Sequence, residues 1–294
     1  MRLLVTGATG FLGWRTATLL AERGHDVVAV SRPGGADRAH SRGMHVERLD
    51  AGGPEIRALV AGCDAVLHFA GVPDPAGALS DPARAVRENA GTTVNLLEAC
   101  AEHGAGLVYP STVRAAAEPA PDPYALSKRL GEEACRLHAA RATVARLTSV
   151  FGPGQVAWEG ATGAIAAFAA RALEGAPIVI PGDPRRARDF VYVDDLAPVL
   201  ERIVAEGHWG RTVTIASGVM TPLVEAAELV RSAAASDSPI ETPGGELAPG
   251  EDRSYPADPR EAPIRFDLRP LPEAVPSYVD WLRRHPAAQG RARA

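Results

Sequence analysis

An apolar run, Arg2-Leu3-Leu4-Val5-Thr6, leads straight into Thr6-Gly7-Ala8-Thr9-Gly10-Phe11-Leu12-Gly13, and an amphipathic stretch follows. Few folds accept that order of events. Three glycines between a strand and a helix do separate jobs: a tight turn, close backbone approach to a pyrophosphate, and close packing of helix on strand. The helix N-terminus beyond them offers unpaired N–H groups and the positive end of its dipole to phosphate. A glycine triplet alone is a weak signal, but its place after an apolar strand and before a helix makes it a dinucleotide-binding junction. Gly7, Thr9, Gly10, Phe11, Leu12 and Gly13 are therefore expected to line the phosphates of a dinucleotide.

The rest of the first half agrees. Short apolar runs predict strands at Arg2–Thr6, Asp26–Val30, Val46–Leu49, Ala65–Phe69, Gly106–Tyr109 and Thr143–Leu147. Helical patterns lie between them at Phe11–Arg23, Pro54–Ala61, Pro82–His103 and Tyr124–Ala140. Such alternation predicts βαβ units and a parallel sheet. Ala65-Val66-Leu67-His68-Phe69 is nearly continuous in apolar residues, as a strand covered on both faces must be. After about residue 150 the regularity fades: helices at Ala161–Leu173, Asp195–Ala205 and Leu223–Ala234, short strands at Ile178–Ile180, Phe190–Val193 and Thr212–Ile215, a loop from Ser236 to Pro263, and a last helix at Pro276–Arg284 before a basic tail. The expected fold class is α/β: a Rossmann-type doubly wound parallel sheet over residues 1–150, with a smaller α/β substrate domain over 151–294. The strand and helix near 211–235 are expected to return to the first domain, and a cleft is expected between the two.

Composition excludes several other classes. With 294 residues, 46% hydrophobic and 23% charged, the chain can bury a sizeable core. A net charge of -5 argues against a nucleic-acid or anionic-membrane surface. No basic leader with an apolar core opens the chain, and no stretch approaches the roughly 18 apolar residues of a membrane span. Cys63, Cys100 and Cys135 are far apart, which fits a reducing cytoplasm and gives no metal site.

The end of the second strand speaks to the cofactor. An NAD site commonly carries an acidic residue there for the ribose 2′-hydroxyl. Here the strand ends in Ser31-Arg32, a hydroxyl and a guanidinium that suit a 2′-phosphate. NADP(H) is thus favoured; NAD(H) remains the alternative, with Arg32 stacking on adenine or facing solvent.

One lysine stands among the 31 lysines and arginines of the chain, at Lys128. It marks a position where arginine does not serve. Pro123-Tyr124-Ala125-Leu126-Ser127-Lys128 opens a helix, and the four-residue spacing puts Tyr124 and Lys128 on one face. Carbonyl reduction needs a proton donor while hydride moves. A free tyrosine titrates near about 10, and a nearby ammonium favours its phenolate. A hydroxyl at the end of the preceding strand, Thr112 or Ser111, can bond the substrate oxygen and stabilise developing charge, with Thr112 preferred as catalytic and Ser111 as substrate-binding.

Together these residues resemble the extended short-chain dehydrogenase/reductases, in particular their nucleotide-sugar epimerases, dehydratases and ketoreductases. The resemblance covers most of the chain. It implies that Asp50 and Ala51 lie at the adenine, that Phe69, Ala70 and Gly71 run along the cofactor, and that Asn89, Leu147 and Ser149 join Tyr124 and Lys128 around it. Arg188-Asp189-Phe190-Val191-Tyr192-Val193-Asp194-Asp195 and Gly250-Glu251-Asp252-Arg253 resemble two further signatures, whose arginines Arg188 and Arg253 would meet a substrate diphosphate. The long helices at Pro82–His103 and Tyr124–Ala140 resemble those that form a homodimer interface in this family.

Departures narrow the chemistry. The sugar 4,6-dehydratases carry acids directly after the catalytic threonine, and Val113-Arg114 stand here instead. No glutamate of the decarboxylase kind is nearby, the usual Val-Tyr-Gly is Ala115-Ala116-Ala117, and Ser149 replaces an expected asparagine. Three functions remain open. The first is an NADPH-dependent ketoreductase acting on a 4-keto group of a nucleotide-linked deoxysugar, or on an aromatic or polyketide ketone. The second is an NAD-dependent nucleotide-sugar 4-epimerase, which shares every catalytic residue. The third, a non-catalytic dinucleotide sensor, has no use for a proton donor.

Overall fold

A computed structural model describes residues 1–34, 44–259, 262 and 264–289. The end of the basic tail, 290–294, lies outside the described residues. From the N-terminus run β1 (Arg2–Thr6), α1 (Phe11–Glu22), β2 (Asp26–Ser31), β3 (Glu47–Arg48), α2 (Ile56–Val60), β4 (Ala65–His68), α3 (Pro75–Ser80), α4 (Pro82–Val86), α5 (Thr92–His103), β5 (Gly106–Thr112), α6 (Pro123–Leu137) and β6 (Arg141–Leu147). Then come β7 (Ser149–Phe151), α7 (Ala164–Glu174), β8 (Ile178–Pro181), β9 (Ala187–Tyr192), α8 (Leu196–Ala205), β10 (Arg211–Ile215), β11 (Met220–Pro222), α9 (Leu223–Ala233), β12 (Ile240–Gly244) and α10 (Leu271–Arg284).

The chain divides into two compact units, one built mainly from Met1–Leu147 and Leu196–Ile215, the other from Thr148–Asp195, Ala216–Pro259 and Asp267–Ala294. Among the described residues the first unit holds a seven-stranded sheet in the order β10-β6-β5-β4-β1-β2-β3. Every pairing in it is parallel. The order reverses beside β1, which is where a doubly wound sheet opens its ligand crevice at the carboxyl ends of its strands. Strands β4 and β5 are buried along their whole length, as their apolar sequences require. Leu96, Leu97, Leu107 and Tyr109 lie in one core of this unit with no exposed surface.

Three differences from the sequence expectation have local causes. The segment 82–103 is helical throughout but not one α-helix: a π turn at Arg87–Gly91 separates α4 from α5. Such turns insert one extra residue per turn and are frequent at functional sites. Strand β10 joins the large sheet beside β6, but the helix expected to return with it, α9, does not. Its apolar face, Leu223, Ala226, Ala227 and Val230, packs into the core of the second unit. The reading of 236–263 as loop missed β12, which pairs in parallel with β8. Its Pro243 and Gly244 hide it from a sequence reading, and an edge strand tolerates both.

The second unit closes around aromatic side chains. Phe151 of β7 meets Phe190 of β9 edge-on at 6.3 Å and Tyr278 of α10 at 6.0 Å. Such pairs add roughly 0.5–1.5 kcal/mol beyond burial. The Tyr278 hydroxyl donates to the Gln155 carbonyl at 2.5 Å, which settles its one polar group.

Candidate functional site

The glycine loop is built as its sequence requires. Gly7 takes a left-handed φ of 67°, and a Cβ there would stand 2.7 Å from the backbone of Phe69 and Ala70. A Cβ on Gly13 would lie 2.3 Å from the Gly7 carbonyl oxygen. Gly10 caps α1 with no side-chain hydrogen bond, so the first-turn N–H groups are left for an external acceptor. That is the polar environment a pyrophosphate fits. Phe11 and Leu12 occupy the first turn, and Thr9 bonds Ser31 of β2 through their hydroxyls at 2.8 Å, both side chains buried.

Around the expected adenosine end, Arg32 follows β2 with 60% of its side chain exposed and one nitrogen 3.4 Å from Glu88. Arg48 is the register partner of Ser31, so a second guanidinium-bearing residue stands beside the same strand end. Asp50 accepts from the Gly52 N–H at 2.9 Å and is exposed; Ala51 is buried. The Ala51 carbonyl accepts from Asn95 Nδ2 at 3.1 Å, which ties this turn to α5. Phe69, Ala70 and Gly71 follow β4, and the Ala70 N–H donates to Thr6 Oγ1 at 3.1 Å.

Tyr124 and Lys128 lie on the inner part of α6, whose first residue is proline and whose N-cap is Asp122. The Lys128 ammonium donates to the Pro110 carbonyl at 3.0 Å and stands 4.9 Å over the Tyr109 ring. Burial pushes Lys128 down to about 8, with Glu132 opposing. Tyr124 packs against Val72, Ala78 and Ala85, and burial pushes its phenol up to about 12. The sequence expectation had the ammonium of Lys128 favour the phenolate; burial favours the phenol instead, and the charge that pulls against burial is that of Arg114.

Of the two hydroxyls at the end of β5, the structure gives Ser111 a task other than substrate. Its Oγ donates to Glu132 at 2.5 Å. The same carboxylate takes two hydrogen bonds from Arg146 of β6, at 2.9 and 2.5 Å, and is buried. Ser111 is thereby a brace between β5, α6 and β6. Thr112 instead accepts from the Arg114 N–H at 3.2 Å, which leaves its own proton available to donate.

Asn89 also departs from its expected place. Its side chain is fully buried, accepting from the Val72 N–H at 2.8 Å and donating to the Val72 carbonyl at 3.2 Å and to Ser127 at 2.9 Å. The amide is spent on holding the segment after β4 against α6. Gly71 is the neighbour this needs, since a Cβ there would strike Asn89 Oδ1 at 2.2 Å. Beside it, His68 bonds Thr6 through Nδ1 at 2.8 Å while its buried Nε2 meets no partner among the described residues. Burial and the Lys128 charge push that imidazole down to about 3, so it is neutral at physiological pH.

Leu147 ends β6, buried; Ser149 opens β7 in the second unit, half-buried. Arg188 does not present a free fork in that unit. It donates from Nη1 to the Ala187 and Arg253 carbonyls at 3.0 and 2.8 Å and from Nη2 to the Glu251 carbonyl at 2.8 Å. It therefore shapes the loop that carries Arg253, whose residue is exposed. Its neighbour Asp189 is buried and accepts from the Ser217 and Gly218 N–H groups at 2.9 and 2.7 Å. Among the described residues no group of three His, Cys, Asp or Glu could hold a metal, and no helix is long and apolar enough to cross a membrane.

Sequence reasoning missed Asp122, Glu132 and Arg146, and saw Arg114 only as the absence of an acid. Two of them carried a signal. Asp-Pro before an apolar-periodic run marks an N-cap, and Glu132 continues the four-residue spacing of Tyr124 and Lys128.

Residues 3–216 match the family described as the NAD dependent epimerase/dehydratase family. Along its length the chain is 29% identical over 316 aligned positions to a dTDP-glucose 4,6-dehydratase of Streptomyces griseus, covering 96% of this chain and 94% of that protein. It is 33% identical to a 2-alkyl-3-oxoalkanoate reductase of Stenotrophomonas maltophilia over 67% of this chain and 63% of that protein. The solved structure of MoeE5 in complex with UDP-glucose and NAD superposes with a TM-score of 0.83 at 25% identity, over 97% of this chain and 99% of that one. The chain belongs to the NAD-dependent epimerase/dehydratase family, the nucleotide-sugar branch of the extended short-chain dehydrogenase/reductases.

Proposed function

We propose that the chain is an NADPH-dependent ketoreductase, acting most simply on a 4-keto group of a nucleotide-linked deoxysugar. The observation that carries this reading lies in the two residues after Thr112. Val113 is apolar, and Arg114 is turned inward onto Asp122 at 2.5 Å. Eliminating a sugar hydroxyl needs further acid–base groups next to the catalytic hydroxyl, and Asp122, the carboxylate that meets Arg114, is already committed to a guanidinium and a helix cap. The remaining groups suit a single proton transfer at one oxygen.

Bound NADP(H) supplies hydride chemistry at its nicotinamide ring. The Gly7–Gly13 loop and the first turn of α1 would hold its pyrophosphate, with Asp50 and Ala51 serving the adenine and Phe69–Gly71 the rest of the dinucleotide. Ser31, Arg32 and Arg48 favour a 2′-phosphate, against the carboxylate of Glu88. Tyr124 gives its proton to the substrate oxygen, Thr112 donates a second hydrogen bond to that oxygen, and Lys128 holds a positive charge beneath them. Arg253, exposed on the loop that Arg188 orders, would meet a substrate phosphate.

A second reading has its own support. The likeness to a 3-oxoalkanoate reductase favours a ketone that is not a sugar, with the same catalytic residues. The 4-epimerase reading shares them too, but would keep NAD bound. Initial rates with NADPH and NADH separate these. Turnover at least tenfold better with NADPH is expected, lost on Arg32→Ala; a clear NADH preference, or protein purified with one non-exchanging NAD per chain, would overturn the ketoreductase assignment.

A further inference from the structure

Three consecutive residues close β5, and each is engaged differently. The Pro110 carbonyl accepts from the Lys128 ammonium at 3.0 Å. The Ser111 hydroxyl donates to Glu132 Oε1 at 2.5 Å. Thr112 Oγ1 accepts from the Arg114 N–H at 3.2 Å, leaving its own proton to donate. On the helix side Tyr124, Lys128 and Glu132 recur every fourth residue, so they form one stripe along α6. Two adjacent strand residues are thus bonded directly to two members of the stripe, and Thr112 is the next residue along the strand.

Glu132 is itself held. Its two oxygens accept from Arg146 Nε and Nη2 at 2.9 and 2.5 Å, a two-point geometry that fixes the plane of the carboxylate as well as its place. Arg146 is the register partner of Ser111 on β6, so the carboxylate spans the β5–β6 seam one row before Thr112 pairs with Leu147. Only 7% of the Glu132 side chain and 4% of Ser111 are exposed. A serine oxygen sits one staggered torsion from its backbone, so a bond to a clamped carboxylate leaves that backbone little slack. A buried ion pair adds little net stability over apolar packing of the same volume, but its directional bonds select one arrangement. That matters next to a reacting group, where a misplacement of about 1 Å can lower a rate by 10²-fold.

We propose that Ser111, Glu132 and Arg146 are positioning residues that set where Thr112 stands relative to Tyr124, so that both hydroxyls reach one substrate oxygen. The proposal rests on the reading in which Thr112 and Tyr124 bond that oxygen. Glu132 fixes the depth of α6, which carries Tyr124, against the end of β5, and Ser111 passes that placement through one peptide bond to Thr112. A brace that served the fold alone would lower stability and leave the Thr112 hydroxyl where it stands.

Two measurements on Ser111→Ala separate these roles. The variant keeps the Glu132–Arg146 pair, so no buried charge is left unmatched. In crystals of the cofactor-bound enzyme, Thr112 Oγ1 is expected to shift by roughly 0.5 Å or more relative to the Tyr124 hydroxyl. In NADPH-dependent reduction of a 4-keto deoxysugar nucleotide, kcat should fall about tenfold while KM changes by less than about twofold. In a Thr112→Ala background the same substitution should lower kcat by less than about twofold, because the group it positions is gone. Should Ser111→Ala fail to fold, Ser111→Cys, a weaker donor, carries the same measurements. A Thr112 hydroxyl that does not move, or an equal loss of kcat with and without Thr112, overturns the proposal. A parent enzyme that reduces no 4-keto nucleotide removes the ketoreductase reading instead, and the place of Thr112 in the crystals still decides the role of the brace.

Discussion

Two residues in this site are held away from their ordinary proton affinities, in opposite directions and by the same cause. Burial raises Tyr124 to about 12 and lowers Lys128 to about 8. For reduction the first shift is useful, because a phenol that stays protonated at neutral pH is an acid ready to donate. The second sets a limit. Lys128 carries its charge only below its folded-state value, so the charge is present at pH 7 and is lost as pH rises through about 8. The rate of carbonyl reduction is therefore expected to fall on the alkaline side of about 8, well below the point where Tyr124 loses its proton. Lys128→Met should lower the rate by roughly 10²-fold or more and remove that alkaline limb. A rate that stays level to pH 10 in the parent enzyme would contradict this role for the lysine.

At the scale of elements, the site depends on how closely α6 lies against β5. Gly131 permits that approach: a Cβ there would stand 2.4 Å from the Tyr109 hydroxyl, whereas one on Gly91 meets nothing within 4 Å. Gly131→Ala must push the helix outward, or Tyr109 inward, at an overpacking cost of about 1–3 kcal/mol. Gly91→Ala, in a helical backbone, should be neutral or stabilise by up to about 1 kcal/mol. Thermal denaturation of the two variants should show a lowered midpoint only for the first; equal midpoints would mean that α6 has room to spare against β5. The elements themselves were legible in the sequence to different degrees. The parallel half could be read because a strand covered on both faces must be largely apolar, as β4 is from Ala65 to Leu67 and β5 from Gly106 to Tyr109. Strands β7, β11 and β12 could not be read, since they are short and two of them carry proline. Tyr124 and Lys128 were visible from spacing within one helix. Glu132 continued that spacing, but its pairing with Arg146 was not visible, because the burial of a charge is a property of three elements meeting. For the same reason Ser111 read as a substrate ligand when its hydroxyl is a brace.

At the scale of the whole molecule, one unit supplies a seven-stranded parallel sheet with a phosphate-ready glycine loop and the Tyr124–Lys128 pair, and the other an aromatic core carrying Arg188 and Arg253. Family membership leaves epimerisation, dehydration and reduction open; in the function proposed above, the pairing of Arg114 with Asp122 is the ground for reduction. The three outcomes differ in where a hydride ends up and whether cofactor is consumed. Incubation with NADPH deuterated on the transferred position, together with a 4-keto deoxysugar nucleotide, reads both at once by mass spectrometry and NMR. One equivalent of NADPH consumed per product, with deuterium on the sugar carbon that bore the carbonyl, is the result expected. Product formed without NADPH consumption, or with no deuterium at that carbon, would contradict the assignment.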